Sequence, residues 1–245
     1  MKKIFFAAAF ALSCTEARAF HPLIGEDTAF LGKDVKQVEL GFGHMVSHEG
    51  ADRYANSGNA ELSYGLFERV DVLLSAVWHG WNSQGLSESG IGDVSLEAKF
   101  PVAEKAGWTL ALKPGFSLPA GDESRSLGAG EGGVWLYGIA GRQAGPWQFY
   151  LNAAYQLNRN SVNEQKNIFK GSAAAVLEVM PKVMVSAELG AETNKDKSSP
   201  SHPVSSVLGL VWSPYPTLDL DAGFKMGLTK TAEDAGLLLG LTLRM

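Results

Sequence analysis

The sequence predicts an all-β fold, a single antiparallel up-and-down transmembrane β-barrel of about 12 strands with both termini periplasmic. Three observations predict it. Apolar and polar residues alternate with period two in about twelve segments of roughly ten residues each. The gaps between those segments alternate long and short. All six tryptophans fall at segment ends.

The first element is a leader. Met1, Lys2 and Lys3 begin it with positive charge, the apolar stretch 4–12 is too short to span a bilayer, and Ala17-Arg18-Ala19 offers a small-x-small cleavage site. Residues 1–19 are therefore read as a signal peptide. Its removal takes the 21 basic residues to 18 and the 26 acidic ones to 25, a net charge of −7. Cys14, the one cysteine, leaves with it, so no disulfide holds the mature chain. A lipidation site at Cys14 is the rival reading, with Ala11 where such sites prefer Leu.

The barrel segments follow, over approximately 35–46, 58–67, 70–79, 91–101, 108–118, 133–143, 147–157, 169–179, 183–192, 203–212, 218–227 and 235–244. In the eleventh, Leu218, Leu220, Ala222, Phe224 and Met226 share one face, and Asp219, Asp221, Gly223 and Lys225 the other. In the fourth, Val94, Leu96, Ala98 and Phe100 oppose Asp93, Ser95, Glu97 and Lys99. Alternation is weakest near 133–143 and 203–212. About ten residues is the length a tilted strand needs to cross a membrane, and is longer than the usual soluble strand.

Gaps such as 47–57, 80–90 and 119–132 are long and rich in Gly, Ser, Asn, Asp and Glu, whereas 68–69, 180–182 and 213–217 are short. Long loops outside and short turns in the periplasm are the pattern of outer-membrane barrels. Trp78, Trp81 and Trp135 fall at the outer ends and Trp108, Trp147 and Trp212 at the inner ends, so all six are expected in aromatic belts. A soluble β-sandwich would bury its tryptophans centrally and use shorter strands. The 45% hydrophobic fraction excludes disorder, the net charge of −5 argues against nucleic acid, and no apolar run after residue 20 is long enough for a transmembrane helix.

Several segments resemble one family, that described as "Putative MetA-pathway of phenol degradation". They are His21-Pro22-Leu23-Ile24-Gly25-Glu26-Asp27-Thr28, Gln37-Val38-Glu39-Leu40-Gly41, Gly65-Leu66-Phe67-Glu68-Arg69-Val70-Asp71-Val72 and the stretch 90–100 beginning Gly90-Ile91-Gly92-Asp93-Val94. Leu112-Lys113-Pro114-Gly115 and Leu118-Pro119-Ala120-Gly121-Asp122 fit as well. The resemblance implies a transporter-like barrel of the Gram-negative outer membrane, and it brings no catalytic residues. The chain departs from many such barrels in ending Leu243-Arg244-Met245 rather than in Phe.

With the apolar face toward lipid, the other face lines the lumen. The lumen candidates are Glu39, Glu61, Asp71, Asp93, Glu97, Lys99, Lys113, Glu178, Glu188, Asp219, Asp221, Lys225 and Arg244. In one reading these charges pair across strands, Arg244 with Glu39 and Lys113 with the strand of Glu97 and Asp93, and plug the interior. In the other the acidic surplus lines a path for cations or neutral solutes. Residues 20–34 are expected to form a periplasmic N-terminal segment, a tail rather than a hatch in the barrel mouth. An outer-membrane lipid hydrolase would need Ser and His together on the lipid face. His44, Ser47, His48 and His79 lie near outer ends, but His79 has the lumen phase. His44 and His48 stand about 13 Å apart on a strand, too far to share a metal.

The expectation is thus a non-enzymatic passive channel for small aromatic or hydrophobic compounds, with no cofactor or metal. Its partners are the lipid bilayer, the barrel assembly machinery and an unknown solute. The alternative is a structural or surface-interaction barrel with a closed lumen.

Overall fold

The computed structural model describes residues 22–47, 53–83 and 86–245. The leader and Cys14 lie outside the described residues, as does His48. Twelve strands follow one another: β1 (Lys36–Ser47), β2 (Arg53–Phe67), β3 (Val70–Ser83), β4 (Leu86–Lys105), β5 (Trp108–Leu118), β6 (Val134–Ala144), β7 (Trp147–Leu157), β8 (Asn167–Met180), β9 (Val183–Glu192), β10 (Val204–Tyr215), β11 (Leu218–Gly227) and β12 (Ala235–Arg244). Each pairs antiparallel with its sequence neighbours, and β1 closes on β12 from Gln37↔Arg244 to Val46↔Ala235. Closure leaves no unpaired sheet edge, as a lipid environment demands.

The two faces are the inverse of a soluble protein's. Leu62, Leu151 and Leu208 are more than half exposed on the outer face, while Asp219 and Asp71 keep 1% and 2% of their surface. Leucines that would be costly in water are at home in hydrocarbon, and carboxylates sit where protein partners reach them. This side-chain distribution and the closed sheet make the barrel of the membrane-spanning kind.

All connections at one end are two residues long: 68–69, 106–107, 145–146, 181–182 and 216–217. Ala106 and Gly107 both have positive φ (54° and 79°), the primed geometry whose twist matches that of a hairpin. In the turn 181–182 only Lys182 has positive φ (72°), and the ladder beside it shifts register between Glu178 and Met180. The other end carries the long loops. The expected loop 80–90 proves mostly strand, because β2, β3 and β4 extend past their neighbours, and the gap 213–217 contracts to 216–217 through a register shift between Trp212 and Tyr215. Those extensions are built on Asn, Ser and Gly, which backbone ladders hold without an apolar face.

Loop 119–133 folds back over the mouth. Asp93 accepts the amides of Gly121 and Ala129 (3.1 and 3.0 Å), Arg125 reaches Glu88 on β4, and Leu127 is buried. A 3-10 turn, Glu123–Arg125, is capped by Asp122, whose carboxyl is held below its ordinary pKa by the hydroxyl and amide of Ser124.

Candidate functional site: a strapped lumen

Residues 22–34 cross the inside of the barrel as a strap, which corrects the expectation of a tail. Length alone suggested a tail; the contacts that hold the strap come from strands far along the chain. Pro22 packs against Gly209 and Gly223 of β10 and β11, and the Ile24 amide donates to Glu188 Oε2 on β9 (2.6 Å). Asn152 of β7 both accepts the Glu26 amide and donates to its carbonyl (3.2 and 3.1 Å). Lys113 Nζ on β5 donates to Glu26 Oε1 (2.7 Å) and Lys99 Nζ on β4 to Asp27 Oδ1 (3.0 Å). The Leu31 amide reaches both oxygens of Asp71 on β3 (3.3 and 3.2 Å), and the Asp34 amide donates to Gly65 on β2 (2.8 Å) as the chain turns into β1.

Glycines make the seat. A Cβ on Gly190 would strike Ile24, one on Gly141 would strike Thr28, and one on Gly65 would strike the Gly32 carbonyl. With Gly209 and Gly223 beneath Pro22, five strands drop their side chains where the strap passes. Nothing in the period-two pattern marks these positions, although a run of inner-face glycines on β9, β10 and β11 is a signal that something lies against them.

The predicted charges divide into groups. Lys99, Lys113, Asp71 and Glu188 hold the strap, and Glu97 joins them by pairing with Lys113 (3.0 Å). Asp93 anchors loop 119–133. Arg244 pairs with Asp219 (2.6 Å) and donates to Gln37 (2.9 Å), and Gln37 in turn donates to Glu39 (2.5 Å). The expected Arg244–Glu39 pair is thus corrected: Glu39 and Asp219 both stand opposite Thr242 on the strands flanking β12, but on the β1 side Gln37, the register partner of Arg244, takes the guanidinium's bond and passes its own to Glu39, which leaves Asp219 as the ionic partner. Glu39 and Glu61 face each other in register on β1 and β2, with Glu61 accepting from Ser63 and Ser75 (3.1 and 2.8 Å). Lys225 pairs with Glu233 of loop 228–234 (3.1 Å). Asp221 is buried on β11, and Glu178 is half-buried near the short-turn end of β8.

The tryptophans also divide. Trp78, Trp108, Trp147 and Trp212 lie on the outer face, Trp147 stacked on Phe149 and Trp108 beneath the Arg142 guanidinium. Trp135 and Trp81 do not belong to a belt. The Trp135 indole turns inward and donates to Glu97 Oε1 (2.7 Å), and that of Trp81 donates to the Arg125 carbonyl of the folded loop (3.3 Å). Position along the strand is right for both, but the face is wrong. Of the three histidines weighed for hydrolysis, His48 lies outside the described residues, His44 bonds Asn56 (2.8 Å) and stacks on Tyr54, and His79 lines the mouth cavity with Asp93.

The strap divides the lumen. On the long-loop side, cavities of about 260, 390 and 450 Å³ share lining residues: Glu233 joins the first two, and Trp81 and Ser126 the last two. On the other side a cavity of about 220 Å³ lies between residues 23–31 and β1–β5, lined by Glu39, Glu61, Asp71, Lys99 and Lys113. It meets the 260 Å³ cavity at Ile24 and Gly25.

A closed twelve-stranded barrel with leucines outside and charges inside defines the architectural class of the outer-membrane β-barrels. Among solved structures the chain is similar to an outer-membrane channel from Pseudomonas putida F1, at TM-score 0.75 and 15% identity over 91% of this chain and 100% of that one. It is also similar to the NanC porin (TM-score 0.59, 10% identity, 85% and 98% covered) and the KdgM porin (0.55, 9%, 84% and 98%). At these identities the likeness is one of fold. No curated protein matches the chain in sequence. The family described as "Putative MetA-pathway of phenol degradation" matches residues 47–245, and the chain belongs to it.

Proposed function

We propose that the protein is a passive outer-membrane channel for small neutral or cationic solutes, with its short-turn end in the periplasm and the strap as its constriction. The observation that carries this reading is the charge balance beside the strap. Lys99 and Lys113 are taken by the strap's own Asp27 and Glu26, while Glu39 and Glu61 face the same cavity with neutral Gln37, Ser63 and Ser75 as their hydrogen-bond donors. An enclosed path lined by carboxylates attracts cations and repels anions. The description of the family supports aromatic compounds as the cargo. The lumen-facing charges then have two duties, holding the strap and setting the field.

The strength of the strap's attachment favours a second reading, a barrel held closed with its loops as the working surface. Conductance of the purified, folded protein in planar bilayers separates the two. The channel reading expects a small cation-preferring current; absence of any current, together with liposomes that do not swell with small solutes, overturns it. Bilayer insertion and reliance on the barrel assembly machinery belong to both readings.

A further inference from the structure

Two rings lie along the β3–β6 wall of the 450 Å³ cavity. His79 sits across Gly92, where an added Cβ would come within 2.7 Å of its Cδ2. Trp135 lies over Gly115, where an added Cβ would be 2.5 Å from its Cε2. The indole N–H is committed to Glu97, which fixes the ring and leaves its carbon surface as lining. Between the two rings stand Ser95 and Ser117, register partners on β4 and β5. Ser117 Oγ accepts the Gly133 amide and keeps its own proton to donate. Gln156 is the register partner of Trp135 on β7 and lines the same cavity.

A flat carbon surface flanked by neutral hydroxyl and amide groups selects a planar ring that carries hydroxyls. The charged groups lining this cavity, Asp93, Glu164 and Lys195, carry a net negative charge, with Lys195 paired to Glu164 (3.8 Å), which disfavours an anion. We propose that this wall is a binding subsite for uncharged, hydroxyl-bearing aromatic compounds, with the ring on Trp135 and the hydroxyls on Ser95, Ser117 and Gln156. The inference deepens the channel reading and rests on it for its role in transport, but the binding itself can be measured without transport.

The probe pair is phenyl β-D-glucoside and methyl β-D-glucoside, both uncharged and alike except for the ring. Equilibrium dialysis against the detergent-folded protein measures binding, and block of the ion current in planar bilayers measures occupancy during conduction. The phenyl compound is expected to bind and block saturably, at least about fivefold more tightly than the methyl compound. Trp135→Ala should remove that advantage, and Trp135→Phe, which keeps a ring but loses the bond to Glu97, should restore most of it. Heat-modifiable mobility on gels reports whether each variant is folded. If Trp135→Ala does not fold, Gln156→Leu takes its place, with an expected loss of about threefold for the phenyl compound. Equal affinity for the two glucosides, or a phenyl affinity untouched by Trp135→Ala or its replacement, overturns the subsite. Binding without current sinks the channel and spares the subsite; current without binding does the reverse.

Discussion

Replacing Lys113 with Met removes an ammonium and keeps most of the stem that carries it. That ammonium lies 2.7 Å from Glu26 Oε1 on the strap and 3.0 Å from Glu97 Oε2 on the wall, and Lys113 is 4% exposed. Breaking a buried pair by deleting one partner costs about 3–5 kcal/mol, because the other charge is left uncompensated. Glu97 stays on the wall whether or not the strap is seated, so only the Glu26 share bears on seating. Taking that share as about 3 kcal/mol, the ratio of seated to released strap falls roughly a hundredfold at 1.4 kcal/mol per decade. The barrel itself should persist, since each of the twelve strands pairs with both neighbours in a closed sheet. Single-channel recording of K113M should therefore show a wider conducting state occupied far more of the time than in the wild type. A disulfide between Gly25→Cys and Ser172→Cys supplies the control: a Cβ on Gly25 falls 2.5 Å from Ser172 Oγ, and the sequence's one native cysteine, Cys14, is in the segment expected to be removed as a leader and is replaced by Ser in this variant. Oxidation should return K113M to the narrow state and reduction should release it. Wild-type recordings from K113M, indifferent to the redox state of the added pair, would refute the idea that the strap constricts the path.

Gly190→Val pushes a branched side chain into Ile24 without altering charge, and should widen the channel as K113M does, with an overpacking cost of about 1–3 kcal/mol read as more frequent opening. The double variant E39Q/E61Q neutralises the facing carboxylates of β1 and β2; the reversal potential in a KCl gradient should move toward zero, with cation preference falling about twofold or more. Asp93→Ala deprives Gly121 and Ala129 of their acceptor, so amide exchange across loop 119–133 should accelerate by about tenfold or more while exchange in the β-ladders holds steady.

All twelve strands were legible because lipid imposes a simple rule: one face must be apolar over the membrane's thickness, and the alternation shows it. The rule stops at the membrane surface. β3 and β4 continue past it through Asn82, Ser87 and Glu88, where backbone pairing alone sustains the strand and no pattern announces it. The face of Trp135 was illegible for a related reason. On β6 Trp135, Tyr137 and Ile139 face inward while Val134 and Leu136 face outward, so both faces are apolar and parity cannot choose between them. The strap itself was the largest omission. Its ties to Lys99, Lys113, Asn152 and Glu188 span from 72 to 164 residues of sequence, and only the closed barrel brings those partners together.

The strap leads straight into β1, the strand that seals the cylinder by bonding Lys36 to Met245 at both backbone atoms. Stopper and seam are therefore one stretch of polypeptide. With so short a leash, a stopper that swings free meets its socket again at an effective concentration in the millimolar range or above. A separate copy of that peptide, added from solution at ordinary concentration, would lose the race for the socket every time, so control over the opening has to come through forces applied inside the lumen rather than through an outside competitor.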